Sequence, residues 1–207
     1  MLLNGYVNSG CRRQFVLDND RQIIVHPWQN MTDIHWPIIV SSWDVSSNKL
    51  ELRWHWYPPK SINDHNFMTQ PTMDERGTTY LVSMPSAFSI NSNGQTLWIS
   101  ELATNDEMRQ FELISICLSV NLRARVMYAV IGSPLYHEGD SLYFISALNM
   151  DNGNVLKRYE LNIDSKSKIT PHCPILIGSD MFYFFWLTGE YPGLVPLKVS
   201  GVPQIKL

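Results

Sequence analysis

The chain has 207 residues, 44% of them hydrophobic and a net charge of -3; only 17% are charged, against the roughly 25% of an average soluble domain. This length is enough to bury the core of one domain. The near balance of 16 Lys and Arg against 19 Asp and Glu excludes the basic footprint of a nucleic-acid or anionic-membrane binder, and three scattered cysteines, Cys11, Cys117 and Cys173, argue against a disulfide framework.

The absence of a disulfide framework favours folding in a reducing compartment, with one bridge still open, and the opening MLLNGYVNSG holds too short an apolar run for a secretory signal. No apolar run approaches the roughly 20 residues of a spanning helix, so no membrane insertion is expected. Asp18-Asn19-Asp20 then separates QFVL from RQIIV, the first of five hairpin signals. The next segment, HPWQNMTDIHWP, is bracketed by Trp28 and Trp36 and also carries His35. Aromatics outside a regular strand expose apolar area unless a partner covers it, which makes these residues candidate contacts.

Ser46-Ser47-Asn48 precedes LELRWHWYPP. Here Leu50, Leu52, Trp54 and Trp56 alternate with Glu51, Arg53, His55 and Tyr57, which predicts a strand whose even residues face the core. Pro58-Pro59 ends it, since proline donates no ladder hydrogen bond. Residues 58–77 read as one long loop, the kind that is functional or disordered, and His65 within it joins the candidate contacts.

Asn93-Gly94 separates AFSI from TLWIS, and Thr104-x-x-Glu107 is a capping box that opens one short helix near 105–111. From Ile114 to Val130 every second residue is apolar, which predicts one long bent strand, or two joined by a bulge. The loop SPLYHEGD carries Tyr136, Asn152-Gly153 separates LYFISALNM from VLKRYELNI, Gly178-Ser179-Asp180 separates PILI from MFYFFWL, and TGEYPG carries Tyr191. These patterns predict an all-β chain, an antiparallel barrel or sandwich built from hairpins with at most one short helix. They extend over 1–207 as a single β domain, which stops on a strand pattern as a piece of a larger protein does. No repeat of fixed period is present, so a complete propeller is not expected; the length suits about half of a six-bladed one.

Chemistry is thinly represented. The six histidines stand at no metal-ligand spacing, so no metal and no cofactor is expected. There is no G-x-S-x-G and no phosphate loop, and Asp74, Glu75, Glu138 and Asp140 read as turn formers before they read as a glycosidase pair. An enzyme is not expected. A glycoside-acting one would need Arg123, Arg125, Glu138 and Asp140 at one mouth.

Low charge, abundant Asn, Ser and Thr, hairpin-rich β pattern and unpaired cysteines resemble the protruding spike domains of non-enveloped virus capsids. The size is similar to the dimeric capsid spike of astroviruses, including avian ones. This resemblance implies a β-barrel core, a homodimer, a place on the virion surface after folding in host cytoplasm, and attachment to a host-cell glycan or protein receptor. Trp28, His35, Trp36, His65, Tyr136 and Tyr191 are the candidate receptor-binding residues. A second stretch, SVNLRARVMYAVIGSPLYHEGDSLYF, resembles a blade of paramyxovirus attachment propellers with their G-x-P-x-x-x-x-G loops, although their many disulfides and glycosylation triplets are missing and Asn30-Met31-Thr32 is the one triplet present. A cellular carbohydrate-binding module and a glycoside-acting enzyme fragment are the remaining alternatives.

Overall fold

The computed structural model describes residues 15–29, 38–47, 49–59, 69–133 and 142–161, together with the backbone of 170–171, 175–177, 181–187 and 192–198. The strands form four separate antiparallel sheets. The first contains β1 (Val16–Asp18), β2 (Ile23–Gln29), β3 (Ile38–Asp44) and β4 (Glu51–Trp56), paired in that order. The second contains β5 (Thr72–Met73), β6 (Thr79–Ser83), β7 (Ser86–Ile90) and β8 (Thr96–Glu101), again in order. Helix α1 (Asn105–Phe111) leads to the third, β9 (Ile114–Asn121), β10 (Val126–Gly132), β11 (Tyr143–Asn149) and β12 (Val155–Glu160). In the fourth, β13 (Thr170–Pro171) and β14 (Ile175–Ile177) pair with the two ends of β15 (Met181–Leu187), and β16 (Pro192–Lys198) pairs along its whole length.

The all-β reading, the hairpins and, among the described residues, the single short helix are therefore as expected from the sequence. Their arrangement is more particular than one barrel or a two-sheet sandwich. The first strands of the first three sheets lie side by side, β1 against β5 and β5 against β9, and β9 in turn lies against β14 of the fourth, so the sheets form a row. Sequential four-stranded meanders arranged in this way are the unit of propeller architecture. The repeat escapes a fixed-period search because the links are unequal. Residues 57–71 join the first sheet to the second, whereas 102–113, with its helix, join the second to the third.

Packing explains the strand compositions. The strands β6, β7 and β10 are buried at every position. Met127, Ala129 and Ile131 of β10 pack with Tyr80, Val82 and Ala87 of the second sheet, while Val126, Tyr128 and Val130 pack with Ile145 and Ala147 on the other face. A strand covered on both faces has no polar side, so β10 reads as a continuous apolar run.

Three local expectations are corrected. The stretch from Ile114 to Val130 is a hairpin, not one strand. Leu122, Arg123, Ala124 and Arg125 form its turn, Asn121 Oδ1 accepts from the Ala124 N–H at 3.1 Å, and Arg125 takes the left-handed conformation at φ 54°. The four-residue turn inverts the parity, so that Val120 pairs with Met127 and Leu118 with Ala129; because β10 is apolar on both faces, the even-numbered apolar positions nevertheless continue through it, which hid the reversal. In β4 the even residues do not share one face. Trp43 pairs with Leu52 and Ser42 with Trp54, so Arg53 is an extra, unpaired bulge residue and the phase flips there. Trp54 and Trp56 face the second sheet, whereas Leu52 is 46% exposed on the opposite side. Finally, the loop 58–77 contains β5 and the turn that joins it to β6.

Candidate functional site

Antiparallel alternation gives every sheet two ends. At one end of each of the first three sheets the first strand turns into the second and the third into the fourth, and these turns are short and mutually bonded. Asp74, at the end of β5, has no exposed side-chain surface. Its Oδ1 accepts from the N–H groups of Arg76 at 3.0 Å and Thr78 at 2.9 Å, and its Oδ2 accepts from the Tyr80 hydroxyl at 3.0 Å and Arg125 Nη1 at 2.9 Å. Arg125 reaches on to Asp151 in the β11–β12 turn, at 2.7 Å from Nη2 and 3.1 Å from Nε. Arg21, from the β1–β2 turn, pairs with Asp18 at 2.6 Å and also donates to the Glu75 carbonyl.

Burial pushes the Asp74 carboxyl up, but donation from Arg125, the Thr78 N–H and Tyr80 outweighs it and holds the group below its usual range. Burial, with Asp74 beside it, moves the Tyr80 phenol up to about 12. A carboxylate kept ionised and a phenol kept protonated are unsuited to proton transfer near neutrality. This network clamps the second sheet to the third.

Two tryptophans complete that end. Trp54 of β4 lies over Gly94 in the β7–β8 turn and donates from Nε1 to the Ser92 carbonyl at 3.0 Å. Trp98 of β8 lies over Gly153 in the β11–β12 turn and donates to the Met150 carbonyl at 2.9 Å. Both glycines have positive φ, 81° and 76°, and a Cβ on either would come within 2.8 Å or 2.7 Å of the indole. Each Asn-Gly turn thus serves two purposes, reversing its own hairpin and receiving the tryptophan of the preceding sheet.

The opposite end carries the second-to-third strand connections and the links between sheets. Among its described parts is α1, held by its capping box: Glu107 accepts from the Thr104 N–H at 2.9 Å and pairs with Arg158 of β12 at 2.8 Å, while the Arg158 guanidinium stacks 3.7 Å above the Phe144 ring. Burial raises the Glu107 carboxyl, and Arg158 and Thr104 more than offset it, so it too stays below its usual range. The first sheet also presents an aromatic ladder. His55 stands edge-on to Trp43 and to Tyr57, ring centres 6.4 Å apart in both cases, with Ser41 Oγ 2.7 Å from His55 Nδ1. Partial burial lowers the His55 pKa.

Of the candidate contacts, Trp28 occupies the next-to-last position of β2, opposite Ile39. His35, Trp36, His65, Tyr136 and Tyr191 lie outside the described residues. By chain position His35 and Trp36 belong to the β2–β3 connection, His65 to β4–β5, Tyr136 to β10–β11 and Tyr191 to β15–β16. Arg123 and Arg125 do not share a strand face as the sequence pattern suggests, because both are in a turn; Glu138 and Asp140 lie outside the described residues. The Asp74–Arg125 clamp was not foreseen, and its partners are 51 residues apart with no local signal joining them. Among the described residues no group of three His, Cys, Asp or Glu could hold a metal, and no helix is long and apolar enough to cross a membrane. Cys117 is buried in the third sheet.

No family model and no curated protein matches this sequence. Solved structures do resemble the fold. The WD40 domain of Pan2 from Neurospora crassa aligns with 93% of this chain and 48% of its own length, at TM-score 0.58 and 10% identity. A protein of unknown function from Bacteroides caccae aligns with 94% of this chain and 66% of its own length, at TM-score 0.54 and 13% identity. BamB from Moraxella catarrhalis aligns over 90% of this chain at TM-score 0.48. At such identities the likeness concerns fold alone. The chain spans less than two thirds of each of these structures.

Proposed function

We propose that the chain is a non-catalytic, propeller-type attachment module that binds a cell-surface glycan or protein through the connections leaving the loop end of its sheets. The observation that carries this reading is the contrast between the two ends. The turn end is closed by the Asp74–Arg125–Asp151 clamp and by two tryptophan caps, which leaves its side chains occupied with one another. The longer connections leave the other end; the candidate contacts His35, Trp36, His65, Tyr136 and Tyr191 belong to these by chain position, and Trp28 stands near the end of β2 that leads into one of them. Rigid sheets presenting variable loops are a recurrent binding arrangement, since the scaffold bears the ordering cost before the partner arrives. Attachment as part of a virus surface is the narrower form of this reading, and it draws on the blade-like stretch around GSPLYHEG.

A glycan array and a cell-binding assay on the purified chain test the proposal. Saturable binding that weakens on Trp36→Ala or Tyr136→Ala supports it. Turnover of an activated glycoside would replace it with the enzyme reading.

A further inference from the structure

The two Asn-Gly turns capped by tryptophan are alike in sequence and differ in how their asparagine side chains are held. In the β11–β12 turn, Asn152 Oδ1 accepts from the Asn154 N–H at 3.0 Å, and Gly153 is buried beneath Trp98. In the β7–β8 turn that service falls to Asn91, whose Oδ1 accepts from the N–H groups of Asn93 at 2.9 Å and Gln95 at 3.0 Å. The Asn93 carboxamide is left exposed and unbonded among the described residues, with Gly94 half-buried behind it.

An asparagine followed by glycine is open to a reaction that needs only water. The glycine N–H loses its proton, the nitrogen attacks the asparagine Cγ, and the Cγ–Nδ2 bond breaks with loss of ammonia, which closes a succinimide ring. Water then opens the ring. Cleavage at the side-chain carbonyl gives aspartate, and cleavage at the backbone carbonyl gives isoaspartate, in which the chain runs through Cβ and Cγ. Glycine favours the attack because no side chain crowds its nitrogen. In both turns that N–H is bonded, Gly94 to the Asn91 carbonyl at 3.0 Å and Gly153 to the Asn149 carbonyl at 2.8 Å. The difference lies in the carboxamide, which must rotate to bring Cγ to the nitrogen. At Asn152 the rotation breaks the bond to Asn154; at Asn93 it breaks none.

We propose that Asn93 is a site of spontaneous conversion to isoaspartate, and that the conversion unseats the Trp54 cap between the first and second sheets. Isoaspartate inserts a methylene into the backbone beside Gly94, which lies so close beneath the Trp54 indole that even a Cβ would come within 2.8 Å of it. On the other side of Asn93 is Ser92, whose carbonyl accepts from Trp54 Nε1 at 3.0 Å. Both contacts shift together, and the first sheet loses one of its ties to the second. The inference does not depend on the attachment reading.

The chain aged at neutral pH and physiological temperature, then digested and mapped by mass spectrometry, tests the site. Isoaspartate should form at Asn93 about 5-fold or more faster than at Asn152, the worth of one hydrogen bond. In guanidinium chloride, where neither turn persists, the two rates should converge. Tryptophan fluorescence of the folded wild type should shift over the same period, and that of Asn93→Gln, aged in parallel, should not, since glutamine closes its larger ring far more slowly. Asn93→Ser serves as the same control if the glutamine variant does not fold. A ratio of rates that is the same folded and denatured, or conversion at Asn93 seen only in denaturant, overturns the site. Conversion at Asn93 with fluorescence unchanged overturns its effect on the cap.

Discussion

Asp74 and Arg125 show how much of this fold depends on single side chains. The carboxylate is fully enclosed, and its charge is matched by one guanidinium, one phenol and two backbone N–H groups. Arg125→Ala would leave that charge buried without its main partner, a change that costs about 3 to 5 kcal/mol; chemical denaturation of the variant should show a loss of this size with secondary structure otherwise retained. The sign of the pH dependence follows from the depressed folded pKa of Asp74. Its contribution is fully present above the unfolded carboxylate value, about 3.9, and is lost as pH falls through the lower folded value. The melting temperature should therefore drop below about pH 4, and Asp74→Asn, less stable at neutrality, should show a shallower drop. An equal slope in both proteins would place the acid sensitivity elsewhere.

At the scale of the elements, the Asn-Gly turns make the sharpest prediction. Gly94→Ala and Gly153→Ala each force a Cβ into a positive-φ residue and against an indole. Each should cost about 1 to 3 kcal/mol, more than a turn glycine that touches nothing, and tryptophan fluorescence should shift as the ring is displaced. Trp54→Ala, which removes the cap from Gly94 and the bond to Ser92, should separate the first sheet from the second before the rest unfolds, read as a two-step melt.

The same elements show what a sequence reveals and what it conceals. All five turn signals, from Asp18-Asn19-Asp20 to Gly178-Ser179-Asp180, join strands that pair as hairpins, and Thr104 and Glu107 form the capping box their spacing implies. These are local, set by backbone conformations that few residues tolerate. The turn at 122–125 is hidden because it contains neither glycine nor proline and because β10, apolar on both faces, carries the apolar positions on past it; the bulge at Arg53 is hidden because register belongs to the pair Trp43 and Leu52, not to β4 alone. The β6–β7 turn at Met84-Pro85 likewise gave no Asn-Gly signal. For the site, aromatic loop residues could be picked out by composition, whereas the clamp that closes the opposite end joins residues too distant in sequence to be paired by inspection.

For the whole molecule, the proposed function divides a sealed turn end from a loop end that would meet a partner. Alanine substitutions at the two ends separate these most directly. Cell attachment should be compared for Trp36→Ala and Tyr136→Ala, on loop-end connections, and for Arg123→Ala and Lys49→Ala, exposed positions of the turn end. The account predicts that at least one loop-end variant loses about 2 kcal/mol of binding, near 30-fold, with its melting temperature unchanged, while both turn-end variants bind as the wild type does. Attachment that is unaffected by the loop-end changes and lost on Arg123→Ala or Lys49→Ala would contradict it.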